Sequence, residues 1–278
     1  MKKLLVLCSA VIAALCLAAC GNSPKSAQTA DAAGDPRPAN YAKAPRFRIL
    51  LYYSYDAEDA HVEFAEQSRD FFKKLTVGNG FYVDETLDLR EIEDLSIYNA
   101  ILMFNNSPQN KEERELFENY MENGGGWIGF HFVAYNNPTT GWPWLNEFLG
   151  IGTYGCNQWP PQPALAVVNN PDHPVTKNLP QEFMLPASEF YQFNDPVTEK
   201  DNIEVLLSLS PKNYPIGLKD IVYGGDWPVV WTNKNYRMIY INMGHGDEEY
   251  IDAEQNVLFI NALRWFISRD PNGNPFDV

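Results

Sequence analysis

Residues 124–131 read Gly-Gly-Gly-Trp-Ile-Gly-Phe-His, and the fold can be worked out from this stretch. A run of glycines closes a helix, because glycine tolerates the left-handed conformation in which helices end. Trp127 to Phe130 then form a short apolar run, read as a buried strand, with polar His131 at its end. Upstream, Asn110 to Asn123 has helical spacing, with Leu116, Phe117 and Tyr120 inward, and Ala100 to Phe104 reads as another buried strand. Earlier still come a strand over Phe47 to Tyr53, a helix over His61 to Leu75 and a short strand over Phe81 to Val83. Strands alternating with helices define an α/β protein with a mostly parallel sheet and helices on both faces.

Downstream the chain is richer in strands. Ala164–Val168, Phe190–Phe193, Ile203–Leu209, Pro228–Thr232 and Met238–Met243 read as extended, and Val257–Ile267 as a closing amphipathic helix. Pro138 to Pro163, loaded with Trp, Pro and Gly, reads as an irregular covering loop with one short helix near Trp144–Leu149.

The chain has 278 residues, is 45% hydrophobic and 14% aromatic, and so has material for a substantial core. Its formal charge of −15 excludes a nucleic-acid binder, which needs a basic footprint on the phosphates. The first residues carry an address. Met1-Lys2-Lys3 is a short basic start, Leu4–Ala19 is an apolar run, and Leu17-Ala-Ala-Cys20-Gly is similar to a bacterial lipobox. That pattern implies a signal peptide over 1–19, lipidation of Cys20, and a flexible tether over 20–44 rich in Ala, Ser and Pro. Losing residues 1–19 removes two lysines and no acid, which takes the charge from −15 to −17. It leaves Cys156 as the only unmodified thiol, so an internal disulfide is excluded. Gly21 is not the Asp that holds lipoproteins at the inner membrane, which points to an outer-membrane lipoprotein facing the periplasm. Residues 45–270 form the domain, and 271–278 are a tail.

In an open parallel sheet, ligands bind beyond the carboxyl ends of the strands. Those ends carry Asp56, Asn105, His131 and His245. His131 follows Gly129 by two residues, a spacing that matches the sharp strand-to-helix turn presenting a nucleophile, and imidazole suits acid–base work or metal ligation. His245 lies between Gly244 and Gly246, which allow close approach of a ligand, and the acids after it are placed to orient its ring. Glu189 and Tyr191 alternate about Phe190, so a strand there would project both from one face. A carboxylate and a phenol together can hold sugar hydroxyls or a metal. Trp142 and Trp159, with Trp144 and Trp227, are candidates for stacking against carbohydrate. His61 reads as a solvated residue at a helix start, His173 as a turn residue, and Cys156 as a small packed residue.

The order of these segments resembles the ThuA-like (trehalose utilisation) family. The resemblance rests on Gly124–His131, Pro171-Asp-His-Pro174, Glu189-Phe-Tyr191, Pro228-Val-Val-Trp231, Met238–His245 and Asn261-Ala-Leu-Arg-Trp265. It implies a class I glutamine amidotransferase-like, flavodoxin-like three-layer sandwich. It also implies a role in carbohydrate catabolism; glycosides or keto-sugars as the substrate class are an inference beyond the resemblance. His131, His245 and Glu189 would then be catalytic or would ligate a divalent metal, and Tyr191, Asn105, Asp56, Trp142 and Trp159 would bind substrate. Alternatives are a noncatalytic carbohydrate-binding lipoprotein and an accessory partner of a sugar oxidoreductase. The sequence departs from the family pattern after His131, where Phe132 and Val133 replace two alanines, and near Trp159-Pro160, where a family histidine is missing. That loss counts against a three-histidine metal site. His131 also stands where an amidotransferase has its cysteine, which argues against glutaminase chemistry.

Overall fold

The computed structural model describes residues 47–76, 81–137, 139–195, 197–213 and 227–268. The signal segment, Cys20, the tether and the tail lie outside the described residues. Eleven strands and four α-helices are found among them. Strands β1 (Phe47–Tyr52), β2 (Phe81–Thr86), β3 (Ala100–Met103) and β4 (Gly126–Phe130) alternate with α1 (Asp59–Thr76) and α2 (Lys111–Glu122). Then follow α3 (Pro143–Leu149), β5 (Tyr154–Asn157), β6 (Gln162–Val168), β7 (Glu182–Ser188) and β8 (Tyr191–Phe193). Strands β9 (Ile203–Leu209), β10 (Pro228–Asn233) and β11 (Arg237–Ile241) and helix α4 (Ala253–Ser268) complete the chain.

Nine strands form one sheet in the order β2-β1-β3-β4-β11-β10-β9-β6-β7. The first five are parallel and the rest antiparallel, so a doubly wound half continues into a meander. Strands β5 and β8 form a separate antiparallel pair. Two buried clusters cover the two faces. One holds Phe64 and Phe72 of α1 with Leu258 and Phe259 of α4; the other holds Phe117 of α2 with Leu145 and Phe148 of α3. This is the three-layer sandwich implied by the family resemblance. Strand order reverses between β1 and β3, the switch point where such sheets bind ligands.

Local sequence accounts for the element ends. Asn110 caps α2 by accepting from the Glu113 backbone N–H at 3.0 Å, and Gly124 leaves the helix at φ +85°. Two segments differ from the sequence reading. The covering loop contains β5, a strand too short and too broken by Gly155 to show a period of two. Glu189 and Phe190 fall in the break between β7 and β8 rather than within a strand, so alternation does not govern where Glu189 points.

Candidate metal centre

The carboxyl edge of the sheet brings together three histidines that are far apart in sequence. His131 follows β4 at φ +37°, a left-handed conformation that is strained for a residue with a side chain. Several contacts hold it there. Its carbonyl accepts from the Tyr240 hydroxyl at 2.9 Å, and its Nδ1 lies 3.1 Å from the Asn242 carbonyl oxygen. A carbonyl can only accept, so Nδ1 carries the proton and Nε2 keeps its lone pair. That lone pair points towards Glu189, with Nε2 3.6 Å from Oε2. His245 Nε2 lies 3.8 Å from the same oxygen. The rings of His131 and His245 are 5.8 Å apart, and both face the same carboxylate oxygen.

His61 completes the cluster, and here the structure overturns the sequence reading. Instead of being solvated it is 3% exposed, with its ring 5.2 Å from His131 and 5.0 Å from His245. Helix α1 follows β1, so its first turn lies over the carboxyl edge and points His61 inward. Ligand atoms of His61, His131 and Glu189 lie within 4.8 Å of one another, as do those of Glu58, His61 and His245. His61 is common to both groups, so α1 supplies a ring that the sequence reading, which looked for a further histidine near Trp159, did not count.

The electrostatics favour ligation over proton carriage. Burial, reinforced by the neighbouring histidines, lowers the pKa of His61 to about 3. Burial and then His245 lower that of His131 to about 3 as well. Both rings are neutral at physiological pH, the form that binds metal. Four buried ring nitrogens have no hydrogen-bond partner: both of His61, and Nε2 of His131 and of His245. Unsatisfied buried polar atoms are uncommon, and several clustered beside one carboxylate are accounted for by a shared partner. A divalent cation fits this donor set, since imidazole and carboxylate together suit zinc and neighbouring transition metals.

The surrounding framework is rigid. Asn242 brackets Tyr191, accepting from its N–H at 2.9 Å and donating to its carbonyl at 2.8 Å. The Tyr191 ring packs 4.0 Å from that of His131, and burial drives its phenol pKa well up. Glu249 is fully buried, and its Oε1 accepts from the backbone N–H groups of Gly244 at 2.9 Å and His245 at 3.0 Å and from the Ser188 hydroxyl at 2.5 Å. It thus ties the loop carrying His245 to the residue before Glu189. The acid after His245 orients the loop backbone and not, as the sequence suggested, the ring. Asn157 donates to Glu189 Oε1 and leaves Oε2 to the histidines.

The remaining candidates lie elsewhere. Asn105 uses both ends of its amide on the Ser54 backbone, at 2.9 and 2.8 Å, and so ties the chain after β1 to the chain after β3. Trp142 is buried between α2 and α3, with its indole N–H on Glu118 at 2.6 Å; Trp144 stacks beside it, and neither has a ring contact with the histidines. Trp227 is buried and donates to the Tyr191 carbonyl at 3.2 Å. The four tryptophans therefore do not form one stacking surface. Asp56 is exposed with its N–H on Ser54 Oγ, and Trp159 is exposed after β5. His173 caps a turn by accepting from the Val175 N–H at 3.2 Å, and the buried Cys156 thiol donates to Gln192 at 3.6 Å. Sequence reasoning missed His61, Asn157 and Glu249. Only Glu249 left a signal, as part of the acidic run after His245.

A flavodoxin-like sheet of the class I glutamine amidotransferase type, with His131 at the strained end of β4, defines the class of protein. Within that class the chain belongs to the ThuA family, described as trehalose utilisation, which matches residues 48–266. It is 60% identical to a ThuA-like protein from Bacteroides uniformis ATCC 8492, covering 86% of this chain and 98% of that one with a TM-score of 0.81. A ThuA-like protein from Parabacteroides merdae ATCC 43184 shares the fold at 19% identity and a TM-score of 0.59, covering 79% and 89% of the two chains. No curated protein matches the chain. Family membership suggests a role related to trehalose utilisation or carbohydrate metabolism.

Proposed function

We propose that this chain is a carbohydrate-processing enzyme whose reaction centre is a divalent-cation site formed by His61, His131, His245 and Glu189. The observation that carries this reading is the convergence of buried imidazole nitrogens on one carboxylate: Nε2 of His131 and of His245 lie 3.6 and 3.8 Å from Glu189 Oε2, and a His61 nitrogen lies within 4.8 Å of His131 and Glu189 ligand atoms. When bound, a divalent cation would supply Lewis-acid polarisation of a sugar hydroxyl or carbonyl oxygen. Glu189 is the one group of the set with a carboxylate to exchange a proton with substrate, and Asn157 fixes its orientation. His131 holds its tautomer through Asn242. Glycosides and keto-sugars are the substrates that fit the family's role. The burial of the histidines favours this reading over a shallow noncatalytic binding platform. The same proposal covers the address: lipid on Cys20 anchors the domain to the outer membrane, facing the periplasm.

The test begins with metal content. The purified protein, stripped and reloaded with Zn²⁺ or Mn²⁺, should bind one equivalent, and His61→Ala and His131→Ala should each weaken binding at least tenfold. Product formation from glycosides and their keto forms should then follow metal content. Stoichiometric binding that survives both substitutions would refute the site.

A further inference from the structure

Tracing the aromatic residues outward from the histidines reveals a feature that the reaction centre does not use. The Phe132 ring lies 4.7 Å from that of His61, and Tyr135 stacks on Phe132 at 5.4 Å with the planes 6° apart. The Tyr135 ring is 4.8 Å from Tyr154, and Tyr154 is 5.1 Å from Tyr191, which packs on His131. These rings form a continuous wall from two buried imidazoles to solvent. Exposure grows along it: Tyr191 is buried, Phe132 and Tyr154 are half-buried, and Tyr135 is 37% exposed.

Its outer end is held in place from both sides. Tyr154 donates its hydroxyl to Asn157 Oδ1, and Asn157 Nδ2 donates to Glu189. One short chain of bonds therefore links the orientation of a wall ring to that of the carboxylate. Tyr135 closes the short helical turn His131–Ala134 that begins at the strained His131, with its N–H on the Phe132 carbonyl at 2.9 Å.

We infer that Phe132, Tyr135 and Tyr154 form a saccharide subsite that stacks the apolar C–H face of a pyranose ring and presents its hydroxyl edge to Glu189. The inference rests on the reading of the histidine cluster as a reaction centre, and it names the residues that hold the sugar. The chemistry selects the ligand. Aromatic faces are electron-rich and attract the slightly positive C–H groups of one face of a pyranose. An anionic ligand would meet Glu58 and Glu189. A cationic ligand would meet the charge of a bound divalent ion. A purely apolar ligand would displace water from beside the Glu189 carboxylate and offer it no donor in exchange, which is costly. A neutral polyol with one apolar face satisfies the wall and the carboxylate together.

The experiment uses the metal-loaded protein with trehalose, cellobiose and methyl α-D-glucopyranoside as probes, and reads binding by saturation-transfer NMR. Metal affinity is measured on the same samples. At least one saccharide should bind, with its C–H protons receiving the transfer. Tyr135→Ala should weaken it roughly three- to tenfold, as expected for loss of one stacked ring. Tyr135→Phe should restore it, since the ring and not the hydroxyl makes the contact. Tyr135 is exposed, so neither change threatens the core, and metal affinity should stay at the wild-type value in both. Saccharide binding that is equal in wild type and Tyr135→Ala overturns the subsite. No binding of any probe to a protein that still takes up its metal also overturns it and leaves the metal centre standing. A protein that binds saccharide through Tyr135 without taking up metal would instead refute the reaction-centre reading.

Discussion

Replacing Gly244 with alanine tests whether the site depends on close packing of the β11 loop against His131. The residue sits at φ +146°, which L side chains rarely adopt. An added Cβ would meet His131 Cβ at 2.8 Å and the Phe64 ring at 3.0 and 3.2 Å. The loop cannot easily retreat, because the Gly244 N–H is held by Glu249 at 2.9 Å and His131 is held by Tyr240 and Asn242. Backbone strain costs about 1–3 kcal/mol, and overpacking about 1–3 kcal/mol more. The sum, about 2–6 kcal/mol, lowers Tm by roughly 4–24 °C for a domain of this size. Gly246→Ala is the internal control. At φ +105° it carries the strain, but its Cβ would have nothing within 4 Å. It should cost only about 1–3 kcal/mol. The assay is thermal melting of both variants with and without Zn²⁺, together with metal titration. Displacement of His131 should weaken metal binding roughly 10–100-fold in Gly244→Ala and leave it near wild type in Gly246→Ala. Equal melting temperatures and equal metal affinities for the two variants would refute the reasoning.

Other expectations follow from the same structure. Burial pushes the Glu85 carboxyl up, but Arg69 at 2.6 Å and Lys73 at 2.5 Å outweigh it and hold the pKa below the ordinary value. A depressed carboxyl contributes stability above its unfolded pKa of 4.5 and loses it as pH falls through the folded value; Glu85→Gln should therefore melt lower than wild type at pH 7 and converge with it in acid. Trp142→Phe should leave metal uptake and turnover unchanged while lowering Tm by a few degrees, because the indole bonds Glu118 and packs between α2 and α3; a loss of turnover at full metal content would show that this helix face reaches the site. Cys20→Ser should release the protein from membranes, since no helix among the described residues is long and apolar enough to span one; full retention in the membrane fraction would refute the anchor.

The sequence alone determined what depends on near neighbours. The alternation of apolar strands and amphipathic helices, the glycine stop at Gly124 and the arrival of His131 and His245 at strand ends are all local, and the sheet edge they identify is the edge where the histidines lie. The structure decided what depends on strand order. His61 sits in the first turn of a helix whose sequence reads as polar at that point, and only the placement of α1 over the switch point buries it. Glu189 faces the histidines because the chain breaks between β7 and β8, which no alternation could show. Asn105 and Trp142 have residue types that suit binding, but Ser54 and Glu118, fixed by tertiary contact, occupy their polar groups. Asn157 was hidden in an irregular stretch until β5 paired with β8 and set it beside Tyr191. A centre assembled from residues 61, 131, 189 and 245 has no sequence spacing of its own. Its geometry comes from four connections meeting at one edge of the sheet, and the order of strands in that sheet is a property of the whole packed chain.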